Sequence, residues 1–127
     1  MLKSMLFDAP SGSGSWVETI GGSSSDYGKS VAVASDGSVY VCGYTYSAGA
    51  GAGRSGDLFL AKFNSSGVIQ WQKTLGGSDW EYGGFVAVAP DGSVYVCGQA
   101  NSSPSSNSSD LFLAKFNSSG VIQWQKT

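Results

Sequence analysis

The sequence predicts an all-β protein built from repeated four-stranded antiparallel meanders, and three observations carry that expectation. The chain repeats itself at a spacing of 53 to 55 residues. Within one period, apolar and polar residues alternate with the period of two expected of strands. No segment shows a sustained helical period, or a capping box followed by an apolar stripe.

The repeat is long. Residues Asp57 to Thr74 recur unchanged as Asp110 to Thr127, 18 identical residues at an offset of 53. Asp36 to Gly43 recur as Asp91 to Gly98, and Val31 to Ala34 as Val86 to Ala89, both at an offset of 55. The difference lies in one place, 13 residues between Gly43 and Asp57 against 11 between Gly98 and Asp110. A length change confined to a Gly/Ser-rich segment marks a surface loop.

In chain order, residues 1–15 form an N-terminal segment with a Ser/Gly linker, and 16–27 a surplus outer strand with its loop. Residues 28–75 form the first complete meander, and 76–127 a connecting loop with the second. In the first, 29–34 is a strand of alternating β-branched and small residues, and Ser35-Asp36-Gly37 supplies a hairpin turn with Gly where positive φ is needed. Residues 38–44 alternate Val39 and Val41 against Tyr40 and Cys42. Residues 58–63 form the third strand, Asn64-Ser65-Ser66-Gly67 the next turn, and 68–74 the fourth strand. The fourth-strand pattern occurs three times, at 16–20, 71–75 and 124–127. In a closed ring, 16–20 and 121–127 are expected to compete for one edge position.

Four-stranded meanders at this period are what β-propeller blades look like, since related repeats run ~40–50 residues. One blade cannot bury both its faces alone, so blades stack face to face. The run Asp-x-Phe-x-Ala-Lys-Phe-Asn-x-x-Gly-x-x-x-Trp-x-Lys-Thr-x-Gly-Gly, with Asp-Gly-Ser-Val-Tyr-Val-x-Gly, resembles the bacterial β-propeller repeat family called SBBP over roughly residues 16 to 127. The resemblance implies a propeller and little about activity.

Composition narrows the function classes. The chain has no His, which removes Ser-His-Asp and Cys-His nucleophiles, His-based zinc sites and imidazole switches. Seven scattered basic residues and a net charge of −2 give no footprint for nucleic acid or an anionic membrane. Gly, Ser and Pro supply 46 of 127 residues, a level that suggests disorder when aperiodic. Here they fall in recurring turns. Met5-Leu6-Phe7 is too short for a signal core, so no export signal is visible, although an extracellular or surface location suits the polar, weakly charged composition.

The candidate sites are weighed against structural roles. Cys42 and Cys97 share one repeat position and are expected to be buried free thiols, about 10 Å or more apart and beyond disulfide reach. Asp36 and Asp91 begin turns, while Asp57 and Asp110 start strands, where a carboxylate accepts backbone hydrogen bonds. The in-phase aromatics, Trp71 and Trp124 among them, are expected to pack blade on blade. Residues that break the repeat are the ligand-binding candidates: Tyr44, Tyr46, Arg54, Trp80 and Phe85. Asn64, Asn101, Asn107 and Asn117 each stand in Asn-Ser-Ser and are candidate glycosylation positions, Asn64 and Asn117 also reading as turn residues.

The expectation is a non-enzymatic propeller repeat protein with no cofactor and no metal. It is expected to complete its fold with copies of itself: a homotrimer giving six blades, with a tetramer or an open filament as alternatives. A lectin-like module with glycan partners is the alternative function.

Overall fold

The computed structural model describes residues 3–7, 16–22, 25–46, 57–75, 81–100 and 110–126, and these contain ten strands. Two of them, β1 (Lys3–Phe7) and β2 (Val17–Gly21), form an antiparallel pair. Strands β3 (Asp26–Val33), β4 (Val39–Thr45), β5 (Asp57–Phe63) and β6 (Ile69–Leu75) make one four-stranded sheet in sequential order. Strands β7 (Glu81–Val88), β8 (Val94–Ala100), β9 (Asp110–Phe116) and β10 (Ile122–Lys126) make the second. These are the two meanders of the repeat, and we call them blade 1 and blade 2.

The turns form as their residues dictate. Asp36 Oδ1 accepts the Ser38 N–H at 2.8 Å and Asp91 Oδ1 the Ser93 N–H at 2.9 Å, and these bonds hold both carboxyls below the usual carboxylate range. Asn64 Oδ1 accepts from Ser66 N and Val68 N, as Asn117 Oδ1 does from Ser119 N and Val121 N. Each turn closes on a glycine at positive φ: 87° at Gly37 and Gly92, 84° at Gly67 and Gly120.

Blade 2 packs with β7 across β3, β4 and β5. Between the sheets, Tyr40, Cys42, Leu58 and Leu60 of blade 1 meet Val86, Val94, Val96, Phe112, Ala114 and Phe116 of blade 2 in one buried cluster. Strand alternation divides the residues. The even positions of β4 and β5 face blade 2, and the odd ones, Val41, Phe59 and Phe63 among them, face Trp16 and β2. The register of β6 against β5 shifts between Lys62 and Phe63, so that Ile69 pairs with Phe63 and Trp71 with Lys62. The extra residue, Gln70, puts Trp71 on the face turned toward blade 2. The same shift recurs in β10, between Ile122 and Trp124.

Two sequence expectations differ from the structure. The stretch 16–20 is not a lone surplus strand: β2 pairs antiparallel with β1. Phe7 pairs with Val17 as Ala61 pairs with Gln72, so β1 stands where a third strand stands in a blade. The second difference is Cys97, which is free like Cys42 but only partly buried. It lies on the face of blade 2 turned away from blade 1, whereas Cys42 lies between the sheets.

Candidate functional site

The outward face of blade 2 copies the face of blade 1 that blade 2 covers at five positions, and departs from it at Phe85 and Gln99, where blade 1 has Ser30 and Tyr44. Tyr95, Cys97, Leu111, Leu113 and Trp124 repeat Tyr40, Cys42, Leu58, Leu60 and Trp71. Surroundings separate the copies: Leu58 is 1% exposed and Leu111 70%. Phe85, placed on the same face by its pairing with Cys97, is also exposed. An exposed apolar sheet face of this kind is a candidate interaction surface.

The covered copy shows how such a face is held. Trp71 Nε1 donates to the Ser118 carbonyl at 3.1 Å, with its ring over Gly120, where an added Cβ would lie 2.8 Å from the indole. Lys62 Nζ donates to the same carbonyl at 3.0 Å and sits 5.5 Å over the Tyr40 ring, which lies 5.9 Å from Trp71. The arrangement is a latch from the last strand of one blade onto the Asn-Ser-Ser-Gly turn of the next. It occurs again one repeat earlier: Trp16 Nε1 donates to the Ser65 carbonyl at 3.0 Å, and its ring covers Gly67. On blade 2 the donor side is already assembled. Trp124 lies 6.3 Å from Tyr95, and Lys115 Nζ is 5.7 Å over the Tyr95 ring.

A second feature lies where the blades meet at β7. A cleft of about 550 Å³ is lined by Lys29, Tyr44, Phe85, Cys97, Gln99 and Leu111, so it shares Phe85, Cys97 and Leu111 with the outward face of blade 2. Here the structure brings together two sequence candidates, Tyr44 and Phe85. Tyr44 stacks on Tyr27 at 4.7 Å, carries Lys29 Nζ 5.4 Å over its ring, and meets Tyr46 edge-on at 6.0 Å. Tyr46 supports the cluster without lining the cleft. Arg54, Trp80, Asn101 and Asn107 lie outside the described residues. Asn64 and Asn117 sit in the turns that receive Trp16 and Trp71. Lys62 and Lys115 escaped sequence reasoning, and Gly67 and Gly120 stood out only as turn residues, although the exact repetition of all four was a usable signal.

Asp57 is buried, and burial raises its carboxyl above the usual range; its Oδ1 accepts no hydrogen bond from the described residues. Among the described residues, no group of three or more Cys, Asp or Glu is arranged to hold a metal ion.

The two thiols report on the two faces. Burial, with a smaller contribution from Cys97, pushes the Cys42 thiol up to about 11 from its ordinary 9.0. Alkylation of the monomer at neutral pH is expected to modify Cys97 first and Cys42 only after denaturation. Between pH 9 and 11 the unfolded chain releases the Cys42 proton that the folded chain keeps. The Cys42 contribution to stability is therefore complete below pH 9 and declines through that window. Urea titrations at stepped pH check this, and Cys42→Ala should lose that alkaline component.

Comparison with known proteins agrees with this architecture. A β-propeller repeat model, SBBP, matches residues 16–49, and a β-propeller domain of unknown function, DUF5122, matches 34–69 and 89–122. The regulatory protein FlaEY of Caulobacter vibrioides is 35% identical over 127 aligned residues, covering 84% of this chain but 13% of that protein. The chain thus corresponds to about one eighth of this relative's length. With two complete four-stranded blades, and family matches covering more than half its length, the chain belongs to the β-propeller repeat proteins.

Proposed function

We propose that this chain is a non-catalytic propeller module that associates with copies of itself, and that its role is to bind and present protein surface. The observation that carries the reading is the exposed face of blade 2, which repeats the residues that blade 1 buries against blade 2. A surface already complementary to blade 2 on one copy is complementary to an equivalent blade on another. Stacking of this kind is head-to-tail, and it closes into a ring when the rotation permits. Three copies of two blades give six, within the ~4–8 of known propellers. Four copies, or an open filament, are the alternatives. The name of the similar FlaEY, a regulatory protein, accords with work done through binding.

Native mass spectrometry over a concentration series up to hundreds of micromolar is expected to show a discrete multiple of the 13.1 kDa chain appearing as concentration rises, the trimer foremost. A chain that stays monomeric up to hundreds of micromolar overturns the reading. The cleft beside Tyr44 and Phe85 supports a second reading, a shallow glycan site, because its size suits a small ligand and its aromatics sit beside Lys29 and Gln99. Binding on a glycan array, lost in Tyr44→Ala, supports that alternative.

A further inference from the structure

Blade 1 also has an outer face, turned away from blade 2, and β1–β2 covers only part of it. Phe59, Ala61 and Phe63 are buried there, but Val31 is 62% exposed, whereas its repeat equivalent Val86 is 8% exposed against blade 1. The β1–β2 sheet has two strands where each blade has four, and among the described residues Val31 and Val33 stay exposed beside it. The fit is also loose. A gap of about 210 Å³ separates Glu18 and Ile20 from Tyr27, Val41 and Phe59, while Val94 and Val96, the equivalents of Val39 and Val41, are fully buried.

Trp16 occupies on Ser65 and Gly67 the seat that Trp71 occupies on Ser118 and Gly120. Trp124, preset against Tyr95 beside Lys115, carries the same latch with no turn to close on among the described residues. We propose that the β1–β2 hairpin is a removable cap: it holds the receiving face of blade 1, and blade 2 of a second copy displaces it, with Trp124 of that copy replacing Trp16 on the 64–67 turn. This rests on the self-association reading and adds its regulation. A complete blade has four strands where the cap has two, so on docking it also covers Val31 and Val33. The hairpin competes because it is tethered, at an effective concentration in the millimolar range. Self-association is therefore held back until the cap is loosened or the protein is concentrated.

The test uses the full chain. Sedimentation equilibrium and the alkylation rate of Cys97 are measured for the wild type, Trp16→Ala, Trp124→Ala and the double variant, with circular dichroism confirming the fold. Trp16→Ala is expected to associate at least about tenfold more tightly than the wild type. In the associated state Cys97 should become as slow to react as Cys42. Trp124→Ala should abolish association in both backgrounds. Trp16→Phe, which keeps a ring but loses the N–H donor, should fall between the wild type and Trp16→Ala, and it serves if Trp16→Ala does not fold. If either Trp16 variant associates no more tightly than the wild type while Trp124→Ala still weakens association, the hairpin is not a cap and the scaffold reading stands. If no variant associates and Cys97 stays reactive throughout, both readings fail and the face belongs to a different protein.

Discussion

Gly43→Ala is expected to destabilise the protein by about 3 kcal/mol or more, enough to leave much of the chain unfolded. A Cβ at Gly43 would lie 1.8 Å from the Tyr27 carbonyl oxygen and 2.9 Å from the Phe59 ring. The first obstacle is backbone, so no rotamer change relieves it; β3 would have to separate from β4. The separation would open the ladder where Gly28 pairs with Gly43, beside the register shift between Gly28 and Ser30. It would also disturb the stacked Tyr27 and Tyr44 that flank the cleft. Gly28 is the internal control. It is the pairing partner of Gly43, yet a Cβ there meets nothing within 4 Å, so Gly28→Ala should change stability by no more than about 0.5 kcal/mol. Urea unfolding of the two variants, followed by circular dichroism, checks the contrast. Equal midpoints for both would remove the close-approach explanation.

Much of this fold was legible because the repeat made each inference twice. The Asp-Gly and Asn-Ser-Ser-Gly turns fold as their residues imply, since a side-chain oxygen and a left-handed glycine settle the geometry locally. Strand alternation likewise placed Tyr40 and Cys42 on one face and Val39 and Val41 on the other. β1 was not legible. Register aligns Ser4-Met5-Leu6-Phe7 with Leu58-Phe59-Leu60-Ala61, where only leucine recurs, so self-comparison finds no repeat and only pairing with β2 reveals the strand. The state of Cys97 was illegible for a different reason. Identical local sequence gives identical strands but not identical burial, which depends on what lies across the face. The cleft shows both sides of this: Tyr44 and Phe85 stood out by breaking the repeat, but their meeting across β7 depends on how the sheets pack.

The same principle yields the second large effect, because one residue type at one repeat position stands in two environments. Trp71→Ala is expected to cost about 2–3 kcal/mol, somewhat below a fully buried tryptophan because the ring is only half-buried. It removes the contact with Tyr40, the cover over Gly120 and the donor to the Ser118 carbonyl, and so loosens blade 1 from blade 2. The melting temperature should fall by roughly 10 °C. Trp124→Ala in the monomer removes a ring that packs on Tyr95 but closes on no turn among the described residues, and should cost about 0.5–1 kcal/mol. Thermal melts of dilute samples measure both. Concentration then separates intrinsic strand stability from blade-to-blade contact. If the difference comes from the covered face, Trp124→Ala should approach the cost of Trp71→Ala as the wild-type reference associates, because the lost latch then includes a turn from the second copy. A Trp124→Ala cost that is as large as that of Trp71→Ala in the dilute monomer would mean that the tryptophan stabilises its own sheet, and the latch between blades would lose its role in holding them together.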